Sequence, residues 1–194
     1  MNLMMTYQKV LGKTMQWIIL LAALLISGCW SYVSKDAQES FERRRLPLNL
    51  TVYPVNVIKG TAFDHDRELA RRVADYLETE NLATPVVGNI NHWYPFQWGM
   101  NQAKMSGRSA KAFAAQVKKD GIQTDYALLV EILCNASETN VVGVEYYLVE
   151  KSGRIVNGCL SNSDWPDFKE IKPTDRKGGY EIAIRLLKRN WQVR

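Results

Sequence analysis

The chain has 194 residues, 46% of them hydrophobic and 23% charged, with a formal net charge of +5. That balance excludes a disordered chain, a collagen-like repeat and a disulfide-dense miniprotein, and the length suits one domain with a tail. Two histidines and three cysteines leave little material for a metal centre, so neither metal nor cofactor is expected.

Residues 1–14 are polar, with Lys9 and Lys13 as their only charges. An apolar run follows from Met15 to Ile26, interrupted only by Gln16. It is shorter than the roughly 20 residues of a membrane span. A basic flank, a short apolar core and small residues behind it make the pattern of a secretory leader. The run closes Leu25-Ile26-Ser27-Gly28-Cys29. This segment resembles the lipobox of bacterial lipoproteins. The resemblance implies that residues 1–28 are a signal peptide. It implies that Cys29, as first mature residue, carries diacylglyceryl and further acyl groups. A plain transmembrane anchor with an incidental cysteine is the alternative. Two or more acyl chains hold a protein on a bilayer, at about 0.8 kcal/mol per buried methylene. Trp30 follows Cys29 where an inner-membrane lipoprotein tends to have Asp. The resemblance therefore implies a protein of the outer membrane, facing the periplasm.

Residues 29–47 are polar, show no sustained periodicity and end at Pro47, so they are expected to be a tether. Arg43, Arg44 and Arg45 form a basic run within it. They are either contacts for anionic headgroups or a solvated stretch where the domain begins.

From residue 48 the pattern is that of a folded domain, 48–194. Leu48 to Ile58 alternates and is rich in β-branched residues, which predicts a first strand with an irregularity at Pro54. Lys59-Gly60 is a turn, and Asp64 is the expected N-cap of a helix over 65–80 with the stripe Leu69, Val73, Tyr76, Leu77. Thr84 to Gly88 is a short strand. Ser106 or Ser109 is expected to cap a helix that runs to Asp120 and stops at Gly121. Asp125 to Leu133 is a nearly continuous apolar strand, suited to a central position. Val141 to Glu150 and Ile155 to Leu160 are strands joined by a turn at Gly153. A last helix covers 179–191 with the stripe Tyr180, Ile184, Leu187, Trp191. The expected fold is α/β, α+β-like: one mixed sheet of about five strands in the order β-α-β-α-β-β-β-α, with helices packed on it.

This order, and above all the stretch Asp125 to Cys159 (DYALLVEIL, VGVEYYLVEKSGRIV, NGC), resembles the amino-terminal α/β domain of TolB and related envelope lipoproteins. That resemblance implies a non-catalytic binding, assembly or adaptor factor for another envelope component, protein or glycan. One alternative is a structural subunit of an oligomeric secretion or polysaccharide-export assembly. Another is a periplasmic hydrolase. No G-x-S-x-G, H-E-x-x-H, Cys-x-x-Cys or phosphate-cradling glycine loop occurs. An enzyme is therefore not expected, and a net charge of +5 that includes Lys9 and Lys13 of the leader is too weak a bias to point to a nucleic-acid partner. His65, in Asp-His-Asp, reads as a solvated helix start rather than a metal ligand.

The least ordinary segment of the domain is residues 89–100, NINHWYPFQWGM. Trp93, Tyr94, Phe96 and Trp98 fall within six positions of an expected loop. They form the candidate partner-binding surface, because aromatic side chains dominate interface hot spots and stack on sugars. The other possibility is a loop folded back over the sheet edge, and on either reading two of the four are expected in the core. Trp165 and Phe168 are expected to pack under the last helix. Cys134 and Cys159 could form a disulfide in an oxidising compartment. Against it, the first and third strands of a simple meander lie about 9.6 Å apart, and bridged Cα atoms lie within about 7 Å.

Overall fold

The computed structural model describes residues 32–97 and 101–191. The segment expected to be a signal peptide, Cys29 and Trp98 lie outside the described residues. The strand expected over Leu48–Ile58 is two strands, β1 (Leu48–Val52) and β2 (Val55–Lys59), broken at Tyr53-Pro54. Pro54 cannot donate to a ladder, so the break falls there. Both pieces pair in parallel with β5 (Tyr126–Cys134), β1 near its start and β2 near its end. Outside them, β4 (Ala83–Val87) adds to β1 in parallel, and β3 (Ala62–Asp66) folds back on β2 as a hairpin. On the opposite edge of β5, β6 (Val141–Glu150) and β7 (Ile155–Asn162) form the expected antiparallel meander. The product is one open mixed sheet of seven strands, which corrects the expected count of about five. The break at Pro54 supplies one extra strand. β3, drawn from residues expected as a turn and a helix start, supplies the other.

The helices also differ from the expected order. α1 (Lys35–Glu42) forms inside the segment expected as a tether, with Ala37 and Phe41 buried. Two apolar residues four apart make one face, and Phe41 packs edge-on against Trp191 at 6.0 Å. Residues 35–42 therefore belong to the fold, and the span left for a tether is shorter than 29–47. α2 (Arg67–Thr79) begins two residues later than expected. Its cap is Asp66, whose side chain accepts from the Leu69 amide at 2.9 Å. α3 (Gln102–Asp120) is capped by Asn101 rather than by Ser106 or Ser109, and it ends at Gly121 in the left-handed conformation. α4 (Pro166–Ile171) is a short helix between β7 and the expected last helix, which is α5 (Arg176–Trp191). As expected, Phe168 is buried beneath α5. Among the described residues no helix is long and apolar enough to cross a membrane.

The sheet separates two interiors. Leu128, Val130 and Ile132 of β5 face α2 and α5, joined by Leu50, Val57, Tyr146 and Leu148 of the neighbouring strands. Ala127, Leu129 and Leu133 alternate with them and face α3. Gly179 lets α5 lie close on the sheet, since a Cβ there would meet Ile132 Cγ2 at 2.6 Å. At the far end of α5, Arg176 donates to Asp64 and Asp66 of β3, both at 2.8 Å, and to Glu138 at 2.7 Å. This ties the β2–β3 hairpin to the β5–β6 connection.

Candidate functional site

Residues 91–97 follow β4 and run along α3, from Gln116 and Phe113 toward Met105, in an alternating pattern. His92, Tyr94 and Phe96 point inward, and Asn91, Trp93, Pro95 and Gln97 point outward. Tyr94 and Phe96 pack with Ile58, Met105 and Leu133, and the Tyr94 ring meets Phe63 edge-on at 5.4 Å. His92 stacks on Tyr94 at 5.6 Å, and its Nδ1 bonds Gln116 at 2.6 Å. Gln116 in turn donates to the Asn91 carbonyl, which pins the segment to α3. Tyr94 and Phe96 are therefore interior groups that hold the loop, the two of the four candidate aromatics that the fold places in the core. Trp93 is 64% exposed. Val86 and Ile90, earlier on the same stretch, are the other large exposed hydrophobics among the described residues.

Under this loop lies a pair of acids. Glu131 of β5 stands directly opposite Glu145 of β6 in the antiparallel register, and the two are 0% and 1% exposed. Both point to the α3 side. Glu131 accepts from Asn56 at 2.7 Å, Ser109 at 2.8 Å and Tyr94 at 3.1 Å. Glu145 accepts from the Ser106 hydroxyl. The two serines expected as helix caps thus serve as donors from the inner face of α3. Asn56 gives its amide N–H to Glu131, so its oxygen accepts from His65 Nδ1, 2.8 Å away. A hydrogen-bonded path therefore runs from half-buried His65 through Asn56 to the acid pair.

Burial drives the electrostatics. It pushes the Glu131 carboxyl up to about 8, and the neighbouring Glu145 pushes in the same direction. Glu145 is also raised by burial, against the pull of its hydrogen bonds. Two facing acids in a dry interior hold a proton between them, because ionising both would bury two like charges. Burial lowers His92 and His65 and holds both imidazoles toward the neutral form. Chemically the cluster is an acid pair with hydroxyl and amide donors, closed to solvent by the 91–97 segment and α3. Among the described residues no three His, Cys, Asp or Glu side chains are grouped to hold a metal.

The other expected site residues separate. Within the expected basic run, Arg44 folds back on the domain: it lies over the Phe41 ring at 3.4 Å and donates to the carbonyls of Phe41 and Trp191. Burial lowers its guanidinium to about 10. Arg43 and Arg45 are exposed, Arg43 beside Glu39. Cys134 and Cys159 are buried and not bridged. Cys134 pairs with Val141 and Cys159 with Tyr146, so β6 stands between them, the meander spacing that argues against a disulfide. Burial pushes the Cys134 thiol up to about 11. Asp64 and Asp66 turn to Arg176 while His65 turns to Asn56, because in a strand alternate residues face opposite ways.

Sequence reasoning missed the acid pair. Its signal was one Glu in the interior of each of two largely apolar strands, at the centre of LLVEILC and of VGVEYYL. No protein-family model matches the chain, and no curated protein matches it significantly.

Proposed function

We propose that the chain is a lipid-anchored protein of the bacterial outer membrane, facing the periplasm, whose α/β domain docks on another envelope component without catalysis. The observation that carries this reading is Trp93, a large aromatic held 64% exposed by neighbours locked in the core. A pre-ordered aromatic loses little entropy on binding and suits an interface anchor. The acid pair supports a structural role for the polar cluster, since its carboxylates are enclosed and already hydrogen-bonded. Acyl chains on Cys29 would localise the domain and raise its effective concentration near a partner. The likeness to the TolB amino-terminal domain belongs to the same proposal. It rests on Asp125–Cys159, the stretch that forms β5, β6 and β7.

A photoreactive amino acid at position 93 tests the docking surface in cells, with the same group at exposed Arg71 on α2 as control. The expected result is a discrete adduct with another envelope component at 93 and none at 71. No adduct at 93, or equal adducts at both positions, overturns the reading. An adduct of two copies of this chain favours the oligomeric-subunit alternative. A specific feature supports that alternative: β4 pairs with β1 alone among the described residues and leaves its outer edge open beside Val86.

A further inference from the structure

The cations of α3 form a row with a single acid on the same helix. This helix carries Lys104, Arg108, Lys111, Lys118 and Lys119 against one acid, Asp120, whose carboxylate accepts the Tyr53 hydroxyl at 2.8 Å. Lys104, Arg108, Lys111 and Lys118 recur at spacings of four, three and seven, so they share one side of the helix, and all four are exposed. None of the four makes an ion pair among the described residues. Several cations elsewhere are paired, Arg176 with three carboxylates, Arg185 with Glu170, Arg189 with Asp167 and Arg154 with Glu150, and others without an ion pair among the described residues, such as Lys169, Lys172 and Lys177, stand among acids along the sequence.

Beside this row runs a cleft of about 820 Å³, lined by Lys104, Arg108, Lys111, Tyr32, Val33 and Ser34. A second cleft of about 430 Å³ adjoins it and reaches Lys118 and Arg154. Tyr32 and Ser34 line both, so the chain joins its fold along the cationic row. The apolar run ends at Ile26 and the lipobox cysteine is Cys29, six and three residues before Tyr32. A fully extended chain covers about 3.5 Å per residue, so Tyr32 lies within roughly 20 Å of the end of the apolar run and roughly 10 Å of Cys29. Whichever of the two enters the bilayer, the cationic row is held close to its surface. The second distance is comparable to the Debye length of about 8–10 Å.

We propose that the cationic face of α3 lies on the anionic phospholipid headgroups of the membrane that holds the amino-terminal segment. Headgroup phosphates would line Lys104, Arg108, Lys111 and Lys118. The inference rests on the membrane-anchored reading above, though not on which anchor is used. It moves the lipid contact from Arg43–Arg45, whose central member is folded over Phe41, to α3. The proximity of the anchor favours lipid over a nucleic acid or an acidic protein, either of which would have to arrive by diffusion.

The test uses the full chain in nanodiscs of phosphatidylcholine alone, or with one third phosphatidylglycerol. Acetylation of Lys104, Lys111 and Lys118 is measured by mass spectrometry relative to Lys188, exposed on α5 across the sheet. In the anionic discs the three rates are expected to fall about threefold or more, and to recover at high salt. In the neutral discs they should match Lys188. Equal labelling in both discs, with the chain still disc-bound, overturns the headgroup contact and leaves the anchor standing. Protection in the neutral discs as well overturns it in favour of a second copy or an acidic partner. A chain that leaves the discs when detergent is removed overturns the anchoring reading, and this inference with it.

Discussion

The two faces of β5 hold the sheet together by different means. On one, Leu128, Val130 and Ile132 meet aliphatic and aromatic groups from α2 and α5. On the other, Leu129 and Leu133 flank Glu131, and the space under α3 contains Glu145, Ser106, Ser109, Tyr94 and Asn56. Both faces are equally dry. The first is stabilised by area removed from water, in proportion to the atoms buried. The second depends on each donor finding its acceptor and on the number of protons the acid pair holds. Removing atoms should therefore damage the first face at any pH. Removing a charge should change the second face in a pH-dependent way.

The largest effect is expected on the apolar face. Leu128→Ala leaves a cavity among fully buried neighbours and should cost about 2–5 kcal/mol in urea unfolding, with little dependence on pH. A cost that varies strongly between pH 5 and pH 8 would mean that the two faces are coupled and the distinction fails.

The acid pair sharpens the comparison. A carboxyl raised in the folded state binds a proton that the unfolded chain releases near its ordinary value of about 4.5. Its favourable contribution is complete below that value and is lost as pH rises toward about 8. His65 and His92 act in the opposite sense: both are lowered, so protonation below about 6.5 favours the unfolded chain. Comparing Glu131→Gln with the wild type cancels the histidines. The glutamine oxygen can still accept from Asn56, and the Tyr94 and Ser109 hydroxyls can rotate to accept its amide. The variant should gain about 1–3 kcal/mol over wild type at pH 8 and little at pH 5. Parallel stability curves would show that the pair does not titrate in this range.

How much of this was legible in the sequence depends on the kind of information. The nearly continuous apolar run Asp125–Leu133 and the strand patterns Val141–Glu150 and Ile155–Leu160 located the meander, and the stripe Leu69, Val73, Leu77 located α2, because burial sets those patterns. β3 was missed because Ala62–Asp66 has no alternation of its own. It is a strand through pairing with β2 and through Arg176, more than a hundred residues away. α1 was missed because one helical turn spanning Ala37 and Phe41 sits in a polar stretch whose partner, Trp191, comes from the chain's far end. Ser106 and Ser109 were misassigned as caps. Local propensity favours serine at helix ends, whereas their acceptors are two glutamates set by sheet register. Composition alone flagged the aromatic segment, but only its outward and inward alternation divides Trp93 from Tyr94.

That division gives the smallest effects and the finest test. Tyr94 and Trp93 are neighbours in sequence and similar in bulk, yet one donates to Glu131 in the interior and the other stands 64% exposed. Tyr94→Phe keeps the packing with Ile58, Met105 and Leu133 and removes one donor to a buried acceptor that retains two others. It should cost about 1 kcal/mol, and more at pH 8 than at pH 5, because the ionised pair needs the donor most. Trp93→Ala deletes far more surface but mostly from water, and should stay within about 0.5 kcal/mol of wild type at either pH. If Trp93→Ala instead destabilises as much as a core truncation, its contact with Phe63, 6.4 Å between ring centres, is structural packing. The docking surface would then lose its anchor. If the two substitutions rank as expected, the loop is a rigid mount, fixed on the inside by the acid network and bearing a tryptophan that the fold itself does not use.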